Sequence, residues 1–286
     1  MNAHELHLGD CAEVMKTLEP NSIDLTVTSP PYDNLRAYNG YSFDFEIVAQ
    51  ELYRITKDGG VVVWVVADAT IDGSETGTSF KQALYFKEIG FRLHDTMIWT
   101  KGGFSAVGAL KTRYAPVFEY MFVLSKGAPK SFNPIKDRPN KHAGKKLAGT
   151  KRQADGSTKP LSGAGEKVYA DFGQRFNVWE MYPHRQRGHN THPAPFPEEL
   201  ARDHIISWSN EGDVVFDPFT GSGTTAVAAL SLGRKFVGCE ISEQYKDMAQ
   251  KRIEERVLER KWTNKVLEED KTAHYCREAI RARGNT

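Results

Sequence analysis

Val214 to Thr225 reads VVFDPFTGSGTT: an apolar run that ends in Asp217 and opens into a turn of small residues. Val214, Val215 and Phe216 have the character of a buried strand. Gly221 and Gly223 free the backbone to turn tightly, and the spacing predicts a helix from Thr224 to Leu232. A helix that starts behind glycines presents backbone N–H groups where no β-carbon blocks a ligand. Three ligand classes compete for such a loop. A phosphate loop of the G-x-x-x-x-G-K-[ST] type is excluded, because no Lys follows either glycine. A dinucleotide loop fits the spacing of Gly221, Gly223 and Ala226, with Glu240 as ribose partner at the end of the next apolar run, KFVGCE. Asp217 argues against it, since an acid between strand and glycines repels a pyrophosphate and favours a cationic ligand.

Around this unit the chain alternates short apolar runs with helical periods. A run from Glu5 to Leu8 ends in Gly9-Asp10 and precedes a helix that Pro20 stops. Ser22 to Thr28 forms a strand that delivers Ser29-Pro30-Pro31-Tyr32, a loop stiffened by two consecutive prolines and ending in an aromatic. A helix follows over Phe45 to Ile55, with Lys57-Asp58-Gly59-Gly60 as its exit and Val61 to Asp68 as a fully buried strand. A helix from Phe80 to Ile89, a strand HDTMIWTK, strand character over Tyr114 to Lys126, a helix from Glu198 to Trp208 and one from Ser242 onward complete the pattern. Alternation of this kind predicts an α/β fold, a doubly wound and mostly parallel sheet, with ligands at the carboxyl ends of its strands. Asp10, Ser29 to Tyr32, Asp68 and Asp217 are expected there.

Overall composition excludes little: 286 residues, 40% hydrophobic, 26% charged, net charge +1. The charges are segregated. Residues 126–188 hold 14 Lys and Arg against 5 Asp and Glu, while the rest of the chain holds 24 against 32. This section is rich in Gly, Pro, Lys and Asn and shows no clear period. Its cations, Lys136, Arg138, Lys141, Lys145, Lys146, Lys151, Arg152, Arg185 and Arg187 among them, are accompanied by Phe132, Tyr169, Phe172, Phe176 and Trp179. That pattern suits a nucleic-acid surface, against the alternative of a solvated insertion. Cys11, Cys239 and Cys276 show no metal-ligand spacing and fit a reducing compartment, so no metal is expected. His192 has no partner at metal-binding spacing. No apolar run is long enough for a membrane span, no signal-like N-terminus is present, and a cytoplasmic location is expected.

Two stretches together, Thr28-Ser29-Pro30-Pro31-Tyr32 and Phe216 to Thr225, resemble the S-adenosylmethionine-dependent DNA amino-methyltransferases. Their order, catalytic motif before cofactor motif, is similar to that of the beta class. The resemblance covers about residues 5 to 256 and implies a Rossmann-like domain of bacterial or phage origin. Its catalytic half is 1–125, a target-recognition insertion 126–188, its cofactor half 189–258, and a tail 259–286. It implies Ser29, Pro30, Pro31 and Tyr32 as catalytic. It further implies Asp10, Asp217, Phe219, Gly221, Gly223, Thr224 and Glu240 around S-adenosyl-L-methionine, with Asp10 near its adenine and Glu240 on its ribose. His192-Pro193 is similar to the element that precedes the cofactor motif. The implied partners are double-stranded DNA, a second copy of the chain and a cognate restriction enzyme. Ser29 stands where enzymes acting on adenine N6 usually carry Asp, which tilts the expectation toward cytosine N4 and leaves adenine open. Attack at cytosine C5 needs a Cys after Pro, and none of the three cysteines follows a proline. An oxidoreductase and a DNA-binding protein without turnover remain as alternatives.

Overall fold

A computed structural model describes residues 3–31, 43–103, 112–182 and 196–258. Eight strands form one sheet: β1 His4–Leu8, β2 Ile23–Thr28, β3 Thr56–Val66, β4 Arg92–Thr100, β5 Phe118–Ser125, β6 Val178–Glu180, β7 Val214–Asp217 and β8 Lys235–Glu240. Their order is β1-β8-β7-β2-β3-β5-β4-β6. Every pairing is parallel except those of β5, which runs antiparallel to both β3 and β4.

Both faces of the sheet are covered, as the unbroken apolar strands require. Helices α1 Cys11–Thr17, α2 Phe45–Ile55 and α3 Thr78–Glu88 bury Met15, Leu52 and Phe86 against Val62, Trp64 and Phe216. On the opposite face, α4 Glu198–Trp208, α5 Thr224–Ser231 and a helix over 243–258 bury Leu200, Ala228 and Ile253 against Leu25, Val63 and Val215. Val62 and Val63 point to opposite faces because side chains alternate along a strand. The helix ends carry their own signals: Asp10 and Asp44 cap α1 and α2 by accepting bonds from the backbone N–H groups of the first turn.

Two expectations are corrected. Lys57 to Gly60 is not a loop after α2, because β3 begins at Thr56. The Thr56 hydroxyl closes the helix on the Leu52 carbonyl (2.6 Å), and Gly59 N–H already pairs with the Lys126 carbonyl. Asp68 follows the end of β3, as expected, and accepts from Ser79 N–H in the first turn of α3 at 2.8 Å. Trp179 is not an exposed aromatic of the basic section: it is buried in β6, and its ring lies 4.5 Å from that of His204. Phe132 stacks on Trp208 and remains half exposed.

The chain divides into two compact units, one of 1–132 with 178–286 and one of Asn133–Asn177. The second contains no buried residue. It is held by short antiparallel pairings, Arg138–Pro139 with Phe172–Gly173 and Thr150–Arg152 with Thr158–Pro160.

Candidate active site

The sheet order sets four parallel strands side by side, β1, β8, β7 and β2, so their carboxyl ends form a row. Asp10 follows the first, Glu240 ends the second, Asp217 ends the third and Ser29-Pro30-Pro31 follows the fourth. Residues 207 positions apart in sequence, Asp10 and Asp217, thus belong to one edge of one sheet. From β7 the chain passes through α5 to β8 on one side. From β2 it passes through α2 to β3 on the other. Strand order therefore reverses between Asp217 and Ser29, the switch point at which open α/β sheets bind their ligands.

The loop between β7 and α5 is wired by the two carboxylates. Asp217, 1% exposed, accepts the Thr28 hydroxyl at 2.7 Å and Phe219 N–H at 3.0 Å. The Thr225 hydroxyl lies 3.2 Å from the Val27 carbonyl and also bonds the Asp217 side chain. Glu240 accepts Gly221 N–H at 2.8 Å on one oxygen and Ser242 N–H at 2.9 Å on the other. Thr220 N–H pairs with the Cys239 carbonyl and Gly223 N–H with the Thr220 carbonyl. The amide of Gly221 is therefore occupied by an acid of the same chain, which corrects the expectation of a loop with unpaired N–H groups at that position. A phosphate cradle needs such amides and no carboxylate behind them; this loop has the reverse arrangement.

Burial raises the Asp217 carboxyl to about 6, and the bonds from Thr28, Phe219 and Thr225 hold it below what burial alone would give. Glu240 is raised too, mainly by burial, with the bonds from Ser242 and Gly221 opposing. Two desolvated acids facing one loop favour a ligand that brings positive charge and hydrogen-bond donors. Burial pushes the Cys11 thiol to about 12 and Cys239 well above its ordinary value, so neither is a thiolate nucleophile.

Gly223 takes φ +83° as the residue before α5, and a β-carbon there would lie 3.0 Å from that of Ala249. Phe219 packs its ring edge-on against Phe43 at 4.9 Å. Thr224 is buried in the first turn of α5. Asp10 directs its carboxylate to Ala12 and Glu13 N–H as the cap of α1. A groove of about 520 Å³, lined by Leu8, Gly9, Asp10, Val14 and Lys246 among others, borders the Asp10 end of the row but includes neither Asp217 nor Glu240. Tyr32, Arg185, Arg187, His192 and Pro193 lie outside the described residues.

The site also contains residues that the sequence did not single out. Thr28 joins the proline loop to Asp217. Arg252 donates to the Ser222 carbonyl at 2.6 Å and pins the glycine turn from the 243–258 helix. Gly238 lets Thr220 approach β8, because a β-carbon there would stand 2.4 Å from the Thr220 hydroxyl. A glycine inside the strand pattern KFVGCE was the available signal for that close approach; Thr28 and Arg252 carried none, as their partners lie 189 and 30 residues away.

The basic residues divide by position. Lys136, Arg138, Lys141, Lys145, Lys146, Lys151 and Arg152 all lie in the unit 133–177. Arg138 rests its guanidinium over the Phe176 ring and donates to the Gln174 carbonyl, so part of its role is to hold the unit together.

A family profile described as DNA methylase, of the N6/N4 methyltransferase type, matches residues 23–251. The orphan methyltransferase M.BamHII of Bacillus amyloliquefaciens is 53% identical over 259 residues, covering 88% of this chain and 92% of that protein. A putative DNA modification methylase of Thermus thermophilus, TTHA0409, solved in complex with S-adenosyl-L-methionine, superposes with a TM-score of 0.62 at 25% identity over 89% of this chain and 94% of its own. The cytosine-N4-specific PvuII DNA methyltransferase shares the fold with a TM-score of 0.63 at 19% identity, covering 87% and 88% of the two chains. With most of its length matched by that profile and by a relative of this identity, the chain belongs to the N6/N4 family of DNA methylases.

Proposed function

We propose that this chain transfers a methyl group from S-adenosyl-L-methionine to the exocyclic amino group of an adenine or a cytosine extruded from duplex DNA. The observation that carries the reading is the bond between Thr28 and Asp217, which ties the Ser29-Pro30-Pro31 loop to a buried acid of the glycine loop. The residues fit the cofactor: Asp217 offers negative charge to a cationic ligand, Glu240 retains lone pairs for ribose hydroxyls, and Asp10 sits at the adenine end of the row. Phe219, Gly221, Gly223 and Thr224 form the wall of the turn. When bound, the cofactor supplies a methyl group activated by its sulfonium.

The remaining work falls to the protein. An exocyclic amino nitrogen is a poor nucleophile because its lone pair is delocalised into the ring. The Ser29 hydroxyl and the Pro30 carbonyl accept hydrogen bonds from its two hydrogens and draw the nitrogen toward tetrahedral geometry, and the proton lost when the nitrogen is methylated passes to solvent. Pro31 fixes the loop, and Tyr32 stacks on the extruded base, which the enzyme cannot reach inside the helix. Orientation for in-line attack, more than acid or base strength, supplies the rate. The basic unit 133–177, with Arg185 and Arg187, contacts the DNA. The same reading includes a homodimer, tested by sedimentation, and a companion restriction enzyme, tested by assaying cleavage of unmethylated DNA in the source cells.

The deciding experiment incubates the protein with labelled S-adenosyl-L-methionine and unmethylated bacterial DNA, followed by digestion and mass spectrometry of the nucleosides. N6-methyladenine or N4-methylcytosine supports the reading and identifies the base. Unmethylated DNA alongside demonstrable cofactor binding refutes it.

A further inference from the structure

Two contacts seat the proline-loop segment on the glycine turn, one at each of its ends. Where the segment leaves β2, the Thr28 hydroxyl bonds Asp217 Oδ1 at 2.7 Å. Where it reaches α2, the Phe43 ring meets the Phe219 ring edge-on, with 4.9 Å between centroids and 64° between planes. Residues 32–42 join those ends in the sequence. Asp217 and Phe219 act as one piece, because the oxygen that takes the Thr28 hydroxyl also accepts Phe219 N–H at 3.0 Å. The stretch Asp217-Pro218-Phe219 therefore holds both ends of the segment that carries Ser29, Pro30 and Pro31.

Both rings are backed by rigid structure. Phe219 also faces Trp64 at 6.3 Å. Trp64 is fully buried on β3, opposite Thr28 in the register of β2 and β3, and its indole N–H donates to Gln82 of α3 at 2.9 Å. Phe43 directly precedes Asp44, the cap of α2, whose carboxylate accepts Glu46 and Ile47 N–H. Helix α2 is in turn anchored by the fully buried Val48, Leu52 and Ile55. The next aromatic, Phe45, packs into the core against Phe86 at 5.3 Å, while Phe43 goes to the glycine turn. Phe43 and Phe219 are both only partly buried, so their contact lies at the rim of the core and is not needed to fill it. An edge-on ring pair is directional, and beyond its buried area it shifts an equilibrium by roughly two- to tenfold.

We infer that Phe43 is a positioning residue that makes the binding of the cofactor and of the extruded base cooperative. This rests on the proposed DNA methyltransferase activity. A cofactor lodged against the glycine turn fixes Phe219, and Phe219 fixes the α2 end of the proline-loop segment through Phe43. A base held by Ser29 and Pro30 fixes the turn in return, so the ligand that binds second meets groups already held in place. Such coupling is reciprocal: the factor that the cofactor adds to DNA affinity is the factor that DNA adds to cofactor affinity. Phe43 acts through Phe219 and not on either ligand, so its loss lowers that factor while each ligand still binds alone. Thr28 holds the other end, which leaves part of the coupling in place.

The test first maps the methylated sequence by expressing the wild-type protein in a methylation-deficient host and sequencing its modified DNA. Affinity for a duplex of that sequence is then measured with and without sinefungin, an unreactive cationic analogue of S-adenosyl-L-methionine. Affinity for sinefungin is measured with and without the duplex, in wild type, Phe43→Leu and Phe43→Tyr. Wild type is expected to show one coupling factor from both sides. Phe43→Leu is expected to cut that factor roughly two- to tenfold with DNA-free sinefungin binding unchanged, and Phe43→Tyr to keep it. Thermal midpoints check folding, and Phe43→Met takes the place of a Phe43→Leu protein that melts early. Wild-type methylation with a coupling factor of one, or with the same factor in Phe43→Leu, overturns the inference and leaves the activity standing. A Phe43→Leu protein that loses affinity for sinefungin alone by as much as it loses coupling has a damaged turn and overturns it as well. A wild-type protein that neither binds nor methylates DNA overturns both.

Discussion

Asp217→Asn separates the cost of burying the Asp217 charge from its use. The carboxyl rises from 3.8 to about 6 on folding, chiefly because burial disfavours its charged form. A raised carboxyl binds more protons in the folded chain than in the unfolded one. Its contribution to stability is therefore full below the unfolded value of 3.8 and is lost as pH rises through 6. At ~1.4 kcal/mol per unit, the ionised group costs the protein about 3 kcal/mol at pH 8. Integrating the two titrations leaves roughly half of that cost at pH 5 and less than about 1 kcal/mol at pH 4. Asparagine keeps an oxygen for Thr28 and Phe219 and places an amide donor beside the Thr225 hydroxyl, so the hydrogen bonds survive. Glu240 and Cys239, the other titratable groups facing Asp217, are common to both proteins. The variant should therefore melt higher than wild type at pH 8, by several degrees at roughly 2–4 °C per kcal/mol, with the gap closing toward pH 4. In the same melts, S-adenosyl-L-methionine should raise the midpoint of wild type and not of the variant. Wild-type affinity for the cofactor should fall below pH 6 as Asp217 protonates. A variant that is less stable by the same amount at every pH, or that binds the cofactor as tightly as wild type, refutes the assignment of a desolvated anion held for a cationic ligand.

Thr28→Val removes a hydrogen bond to a buried carboxylate, worth ~1.5–3 kcal/mol, and should move the acid limit of cofactor binding to higher pH, with Thr28→Ser restoring it; an unmoved pH profile argues against the coupling. Pro31→Ala and Tyr32→Ala should abolish methylation while leaving cofactor binding intact, measured by nucleoside mass spectrometry and by thermal shift. Gly223→Ala forces a β-carbon to 3.0 Å from Ala249 at φ +83° and should destabilise the protein by ~1–3 kcal/mol in denaturant unfolding. Lys145→Ala/Lys146→Ala should weaken DNA binding uniformly across sequences and flatten its salt slope, without changing the base sequence that is methylated.

Helices Phe45–Ile55 and Glu198–Trp208 and strand Lys235–Glu240 were legible to the residue. Their apolar period and flanking turn residues agree locally. The boundaries that misled were those where a distant partner decides. Gly59 looked like a turn until Lys126 paired with it. Trp179 was counted with the exposed aromatics because sequence spacing cannot say that a three-residue strand joins the sheet.

By itself the sequence determined the class of fold, the order of the two motifs and the segregation of positive charge, since each is written in residues close together along the chain. Only the tertiary structure decided that Asp10, Glu240, Asp217 and Ser29 stand on four neighbouring strands. Strand order depends on pairings between residues up to 232 positions apart, His4 with Phe236 for example, which no local pattern encodes. It also decided that Asp217 is buried and bonded to Thr28, because desolvation is a property of everything packed around a group. And it turned an aperiodic basic segment into a ribbon, since an antiparallel pair interrupted by turns repeats at no fixed interval in the sequence that forms it.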